Sequence, residues 1–197
     1  MQLVERSEIL KLSEYEPLRE HFRARVIAEK KARRVQLGDK ISGVFENHDT
    51  VLLQIQEMLR TERISREPAI AHEMETYNQL VPLANELSFT AMIEIDDREP
   101  REKFLVDATG IEQSFSVVVT TPNGEEKCAA KWDPARVLDD RASAVLYMKF
   151  PLTNAAAEAL KTGNAKAQLR VEHSAYKASV EIAPQTLASL AEDLREG

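Results

Sequence analysis

The sequence has little of what disulfide-bonded, zinc-binding or nucleotide-binding proteins require. Cys128 is the only cysteine among 197 residues, so the chain can form neither an internal disulfide nor a thiolate-rich zinc site by itself. Glycine occurs only six times and never as G-x-G, which disfavours a nucleotide cofactor held by backbone amides. A Ser-His-Asp order, a nucleophile elbow and a phosphate loop are also missing. These absences favour a non-enzymatic protein, and no cofactor is predicted.

The sequence also lacks a long hydrophobic run. No uninterrupted apolar stretch approaches the roughly 20 residues that cross a bilayer. The first ten residues, MQLVERSEIL, include Glu5 and Glu8 but no apolar signal core, so export is not expected. Hydrophobic residues make up 43% of the chain, which is enough for a folded core. The sequence therefore predicts a cytoplasmic protein that does not engage a membrane.

Charge is distributed unevenly along the chain. The net charge is −7, yet the segment from Arg19 to Arg34 holds seven Lys and Arg against Glu20 and Glu29. This segment therefore carries +5 and the remainder −12. Because a nucleic-acid binder usually has a net basic domain, nucleic acid is not a predicted partner. We expect the basic segment to pair with acidic groups of its own chain or to remain solvated.

Helical patterns dominate the first half of the chain. They predict helices over residues 15–34, 49–64 and 66–80. In the second of these, Asp49 is the predicted N-cap, because its carboxylate can accept from free backbone N–H groups. Val51, Ile55 and Leu59 recur at helical spacing and belong to its apolar stripe. Residues 40–45 fit a short extended segment.

After Leu87 the hydrophobic period changes from helical to two, as in a half-buried strand. The Asn123-Gly124 pair predicts a tight hairpin, since both residues tolerate positive φ, and a second hairpin is predicted around residues 174–175. The strand from Ser143, SAVLYMKF, is apolar on both faces and is predicted to be central in its sheet. Helices are predicted after Thr153 and from Pro184.

These elements predict an α+β fold in which a helical N-terminal half packs on a mainly antiparallel sheet and a helix lies at the C-terminus. We expect one domain over residues 1–197. Its first part, residues 1–84, is mainly helical. Its second part, residues 85–197, is mainly antiparallel β with two helices.

The second helix has more polar side chains off its apolar stripe than solubility requires. Such side chains hydrogen-bond and form ion pairs rather than pack, so the face is either solvated or a docking surface. The candidate partner-binding residues on it are Gln56, Glu57, Arg60 and Arg63.

The alternative is a metal-binding protein, or an enzyme, with a carboxylate and histidine site between the helices at 49–64 and 66–80. His72 and Glu75 are three residues apart and share a helix face, a spacing found, in the order Glu-x-x-His, in di-iron bundles. The complete pattern needs a second such pair and two more glutamates. The candidate ligands of iron or another divalent metal are Glu57, Glu62, His72 and Glu75. We expect His48 to belong to a helix cap and His173 to stabilise a turn.

Six stretches of sequence, taken in order, resemble a known family. They are YEPLREHFRARVIAEKKARRVQLG, FENHDTVLLQIQEMLRTERI, ETYNQLVP with ELSFTAMIEI, SAVLYMKF and VEHSAYKA. Over nearly its whole length the chain resembles an uncharacterised bacterial family, domain of unknown function 3501. The resemblance implies no activity and assigns no catalytic residue. Through gene neighbourhood it implies an association with rubrerythrin-like and iron–sulfur redox proteins, and so with redox or metal stress.

We therefore expect a cytoplasmic accessory protein that binds a protein partner. The resemblance implies that this partner is a rubrerythrin-like or iron–sulfur redox protein. A homo-oligomer is compatible with the sequence.

Overall fold

The computed structural model describes residues 1–163 and 165–196 of the chain. The elements follow one another as α1 Leu12–Arg33, β1 Arg34–Leu37, β2 Ile41–Glu46, α2 His48–Thr61, α3 Glu67–Asn78, β3 Glu86–Ile93, α4 Arg98–Asp107, β4 Phe115–Thr121, β5 Gly124–Ala129, β6 Val145–Pro151, α5 Asn154–Lys161, β7 Ala167–His173, β8 Tyr176–Glu181 and α6 Pro184–Glu196. In those two ranges, no helix combines the length and the apolar character that spanning a membrane requires.

The strands form two antiparallel sheets, ordered β1-β2-β3-β6 and β5-β4-β7-β8. Buried side chains of both sheets belong to one hydrophobic cluster, which forms the main core. Phe45 and Phe89 from neighbouring strands pack there with ring centroids 4.8 Å apart. Gly43 leaves room for this contact, because a Cβ atom at residue 43 would lie 2.2 Å from Cζ of Phe89. Since successive strand residues alternate in direction, Thr90 and its cross-strand partners Val44 and Tyr147 face away from this core.

The helices of the N-terminal half form a second, smaller core with the segment that precedes α1. Its buried members are Val4, Ile9, Val51, Ile55, Leu59, Ile70, Leu80 and Val81. Helix α1 contacts both α2 and α6, so it joins the N-terminal helices to the C-terminal one. This arrangement brings α2, α6 and the segment before α1 together around α1.

The α+β class, the antiparallel pairing and the C-terminal helix are confirmed. The helical half also contributes two strands, β1 and β2, to the first sheet. The second half contains an additional helix, α4, besides α5 and α6. Helix α4 was not predicted because only Phe104 and Leu105 are buried in it, too few for a recognisable apolar stripe.

The prediction that β6 is central was wrong, because β6 lies at the end of its sheet and pairs only with β3 along its length. An isolated bridge between Lys131 and Lys149 covers part of the other side. The outward-facing residues Val145 and Tyr147 line surface cavities. Apolar residues on this face of β6 therefore do not indicate that a further strand lies beside it.

Both predicted hairpins are present. The first has Pro122 and Asn123 as its turn residues, because Thr121 pairs with Gly124. Only Gly124 has a positive φ, of +123°, so the turn lies one residue earlier than predicted. The second joins His173 to Tyr176, and the His173 ring accepts the Ala175 N–H at 3.2 Å, which confirms its turn-stabilising role.

Candidate functional site

The N-cap of helix α2 lies two residues earlier than predicted. Asn47, not Asp49, is the N-cap: its Oδ1 accepts the Thr50 N–H at 3.0 Å, and its own N–H donates to Thr50 Oγ1 at 2.9 Å. This reciprocal pair satisfies free backbone groups at the helix start. Asp49 lies in the first turn, where its carboxylate binds the guanidinium of Arg25.

Gln56 is an internal residue rather than part of a docking surface. Only 1% of it is exposed. Its side-chain oxygen accepts the Leu10 N–H and its amide donates to the Leu10 carbonyl, both at 3.0 Å. It therefore fixes the chain before α1 onto α2, and a partner cannot reach it.

Glu57 faces α1, which covers this side of α2. It accepts from Tyr15 Oη at 2.7 Å and from two nitrogens of Arg19 at 2.9 and 2.8 Å. These contacts, Arg19 above all, lower the pKa of Glu57 although partial burial opposes them. Arg60 pairs with Glu16 of α1 at 3.0 Å. Of the four predicted docking residues, only Arg63 is exposed and without a side-chain partner among the described residues.

The four predicted metal ligands are not brought together. Glu57 turns towards α1, whereas His72 and Glu75 are exposed on α3 and Glu62 is exposed where α2 ends. In the part of the chain that the structure describes, no three His, Cys, Asp or Glu side chains are grouped so that they could hold one metal ion. The described residues thus do not group these four side chains, and metal binding between α2 and α3 stays a prediction.

A different polar site lies where α1, α2, α6 and the segment before α1 meet. This acidic cavity has a volume of about 580 Å³. Its charged lining residues are Glu5, Glu8, Glu29, Arg33, Asp49, Glu192 and Asp193, and Asn47 and His48 also line it. Six carboxylates thus share the cavity with one arginine, and the carboxylates come from segments as distant in sequence as residues 5 and 193.

The floor of the acidic cavity is a buried charged group. The Arg33 side chain is 1% exposed and that of Asp193 11%, and they form an ion pair at 2.5 Å. Arg33 also donates to the Phe45 carbonyl at 3.3 Å. Its Nε lies 3.4 Å from Glu29 without a hydrogen bond, while Asn47 donates to Glu29 at 2.5 Å. Arg33 is thus shared between two carboxylates.

Burial raises the pKa of Asp193 to about 6, although the charge of Arg33 opposes the rise. Taking a carboxylate out of water disfavours its charged form, and here this effect exceeds the attraction of the guanidinium. Asp193 therefore changes charge close to neutral pH. A proton or a cation entering the cavity would reduce the negative charge of Asp193 and Glu29 at its floor.

His48 stands at the rim of the acidic cavity between two carboxylates. Its Nε2 lies 3.1 Å from Glu8 and its Nδ1 3.3 Å from Asp49. The ring follows the Asn47 cap, so it belongs to the first turn of α2. It links the segment before α1 to the start of α2 and closes one side of the rim.

The basic segment of α1 serves the acidic groups of its own chain, as predicted. The ion pairs are Arg19–Glu57, Arg25–Asp49, Lys30–Glu46, Arg33–Asp193 and Arg34–Glu94.

Cys128 is buried, and burial raises the pKa of its thiol. This position is typical of a packing residue.

Comparison with known proteins identifies relatives of unknown function. The model of the family described as "Protein of unknown function (DUF3501)" matches residues 3–194. The chain belongs to this family. It is also similar to a solved structure, the crystal structure of a "novel protein of unknown function" from Burkholderia pseudomallei K96243, with 34% identity and a TM-score of 0.88. That match covers 98% of this chain and all of the other. A search of the curated proteins gave no match.

Sequence reasoning missed the acidic cavity of this DUF3501 chain, although two signals point to it. Arg33 lies seven residues after the buried Val26, and Asp193 lies three after the buried Leu190. Both spacings place a charged residue on the buried face of a helix. A charge on an apolar stripe needs a partner of opposite charge, and Arg33 and Asp193 form an ion pair with each other.

Proposed function

We propose that this protein is a non-enzymatic cytoplasmic accessory protein that binds a protein partner, and that the acidic cavity receives a basic side chain of that partner. The observation that carries the proposal is the imbalance of charge in the cavity, where six carboxylates line the site with one arginine and Arg25, outside the lining, pairs with one of them, Asp49. A lysine or arginine side chain has the charge opposite to that of the site.

The floor supports the proposal further. Asp193 and Glu29 share the charge of Arg33, so the pair of carboxylates retains a negative charge when both are ionised. At the rim, Glu5 and Glu192 have no cationic partner among the described residues. An incoming cation would meet unpaired carboxylates at the rim and a half-neutralised pair below.

The family resemblance supplies the class of partner. It implies a rubrerythrin-like or iron–sulfur redox protein, and hence a role in redox or metal stress. Such a partner would present a basic segment to the cavity. Arg63, exposed beyond the end of α2, remains available for a second contact.

The experiment is affinity capture from the native host with two matched variants. Glu5→Gln/Glu192→Gln removes two rim charges, whereas Glu20→Gln/Glu99→Gln removes two exposed charges elsewhere. We expect the wild type and the control to recover the same partner, and the rim variant to lose it. Capture should weaken as salt is raised, because screening acts on exposed charges.

Two outcomes would contradict the proposal. One is equal recovery of the partner by the rim variant and the control, and the other is the absence of any partner specific to the wild type. Metal analysis of the same native preparation tests the alternative, since substoichiometric metal counts against a metal carrier.

A further inference from the structure

A second cavity, of about 220 Å³, lies on the outer face of the first sheet. Its floor is a cross-strand row in which Val44 pairs with Thr90 and Thr90 with Tyr147. Helices α2 and α3 cover it through Gln54 and Tyr77. This sheet-face cavity shares no lining residue with the acidic cavity, so it is a separate feature of the molecule.

Two polar groups in the sheet-face cavity lack hydrogen-bond partners. The Glu46 side chain is only 8% exposed, and its one charged neighbour is Lys30 Nζ at 4.0 Å. No group in residues 1–163 or 165–196 donates a hydrogen bond to its carboxylate. The hydroxyl of Thr90 is buried and has no partner in these residues either. Buried carboxylates and hydroxyls are costly unless they are paired.

The rest of the lining is mostly apolar. Aliphatic side chains such as Val51, Leu80 and Met92 surround the two polar groups. Apolar walls with a few convergent polar groups are the usual composition of a small-molecule site. The walls would hold an apolar body, and the Glu46 carboxylate, whose ion pair with Lys30 is long at 4.0 Å, and the Thr90 hydroxyl would orient one donor group.

We propose that the sheet-face cavity binds a small primary amine with an apolar body, whose ammonium group donates to Glu46 and to Thr90 Oγ1. An ammonium group has three N–H donors, so it can donate both to a carboxylate and to a hydroxyl that line one cavity, and its charge compensates that of Glu46. Lys30 is the competing cation. Its side chain is 29% exposed, so it can turn its ammonium group to solvent when the ligand enters.

The volume limits the size of the ligand. A protein cavity of about 150 Å³ holds one benzene molecule, so a cavity of about 220 Å³ fits an aromatic ring with one or two further atoms. Benzylamine is therefore a suitable probe. Benzyl alcohol has the same shape with a neutral donor, and benzoate has the same shape with the opposite charge.

The experiment is calorimetric titration of the full chain with these three probes. We expect benzylamine to bind about tenfold more tightly than benzyl alcohol, and benzoate not to bind. Glu46→Gln should weaken benzylamine about tenfold and leave benzyl alcohol nearly unchanged. The matched control is Glu94→Gln, which removes a carboxylate that is exposed and outside the cavity.

Two further variants keep the test decisive if Glu46→Gln does not fold. Lys30→Ala removes the competing cation and should strengthen benzylamine binding. Val145→Phe should fill the cavity at the exposed edge of β6 and abolish the binding of benzylamine. The proposal is overturned if benzylamine does not bind the wild type, if benzoate binds equally well, if Lys30→Ala weakens benzylamine, or if Val145→Phe leaves its binding unchanged.

Discussion

The α1–α2 interface and the acidic cavity are both rich in charge, and they differ in how that charge is balanced. At the interface each carboxylate has its own cation, since Arg19 binds Glu57 and Arg60 binds Glu16. In the cavity, Arg33 is shared by Glu29 and Asp193, and the rim carboxylates add further negative charge. A row of polar residues on one helix therefore says little about docking; unbalanced charge in a concave site says more.

The two regions also shift carboxylate pKa values in opposite directions. Arg19 and Tyr15 lower the pKa of Glu57, whereas burial raises the pKa of Asp193 to about 6. The interface thus favours the ionised acid, and the cavity favours the protonated one. The first arrangement joins two helices, and the second leaves a site whose charge can be changed by a proton or a ligand.

Removing Arg33 should have the largest effect on stability. Arg33→Met leaves Asp193 and Glu29 in the cavity without their shared cation, and breaking a buried ion pair in this way costs about 3–5 kcal/mol of the free energy of unfolding. Urea denaturation measures the change. The control Arg23→Met, at an exposed position of α1 without a partner among the described residues, should have little effect. Equal midpoints for the two variants would show that the floor of the cavity is not a stabilising pair.

The pH dependence of stability should identify Asp193. Its folded-state pKa of about 6 exceeds the ordinary value of 3.8, so the folded protein binds this proton more tightly than the unfolded chain does. The stabilisation is complete below about pH 4 and is lost as the pH rises through 6, with an upper bound of about 3 kcal/mol. We expect the stability of the wild type relative to Asp193→Asn to fall by up to this amount between pH 4 and 7. A constant difference would contradict the raised pKa.

Much of the fold follows from the sequence because it depends on local patterns. The period-two alternation from Leu87 gave β3, and the pattern of residues 15–34 gave α1 almost to its ends. Helix α4 and the edge position of β6 did not follow, because both depend on which neighbours cover a segment. Strand β1, Arg34–Leu37, did not follow either: the predicted helix includes its first residue, and no element is predicted over the other three.

The site was much harder to predict than the fold. The polar face of α2 was visible in the sequence, but no local pattern indicated that α1 covers part of it through Tyr15 and Arg19. The acidic cavity combines residues 5–8, 29–33, 47–49 and 189–193, and no local pattern relates segments that far apart. The only local signal of the cavity is the position of Arg33 and Asp193 on the buried faces of their helices. That these two residues form a pair is seen only when the helices are packed together.

Truncating Gln56 should have a smaller effect than either change in the cavity floor. Gln56→Ala leaves the N–H and the carbonyl of Leu10 without their partners, and an unsatisfied buried polar group costs about 1–3 kcal/mol. Thermal and urea denaturation measure the loss. Thr61→Ala on the same helix is the control, because Thr61 is exposed and its side chain forms no hydrogen bond with another described residue. If both variants match the wild type, the segment before α1 is held to α2 by other contacts.

The smallest effect is expected for Arg60→Ala at the α1–α2 interface. Arg60 and Glu16 are 35% and 55% exposed as side chains, and ordering two long side chains at a surface offsets most of their attraction. The denaturation midpoint should therefore stay at the wild-type value. Raising the salt concentration should not produce a difference between the midpoints of the wild type and the variant. Affinity capture with the same variant decides what this face does. Retention of the partner would assign the face to internal pairing, as the contacts of Glu57 indicate. Loss of the partner with an unchanged midpoint would instead make Arg60 a docking residue and favour this face over the acidic cavity.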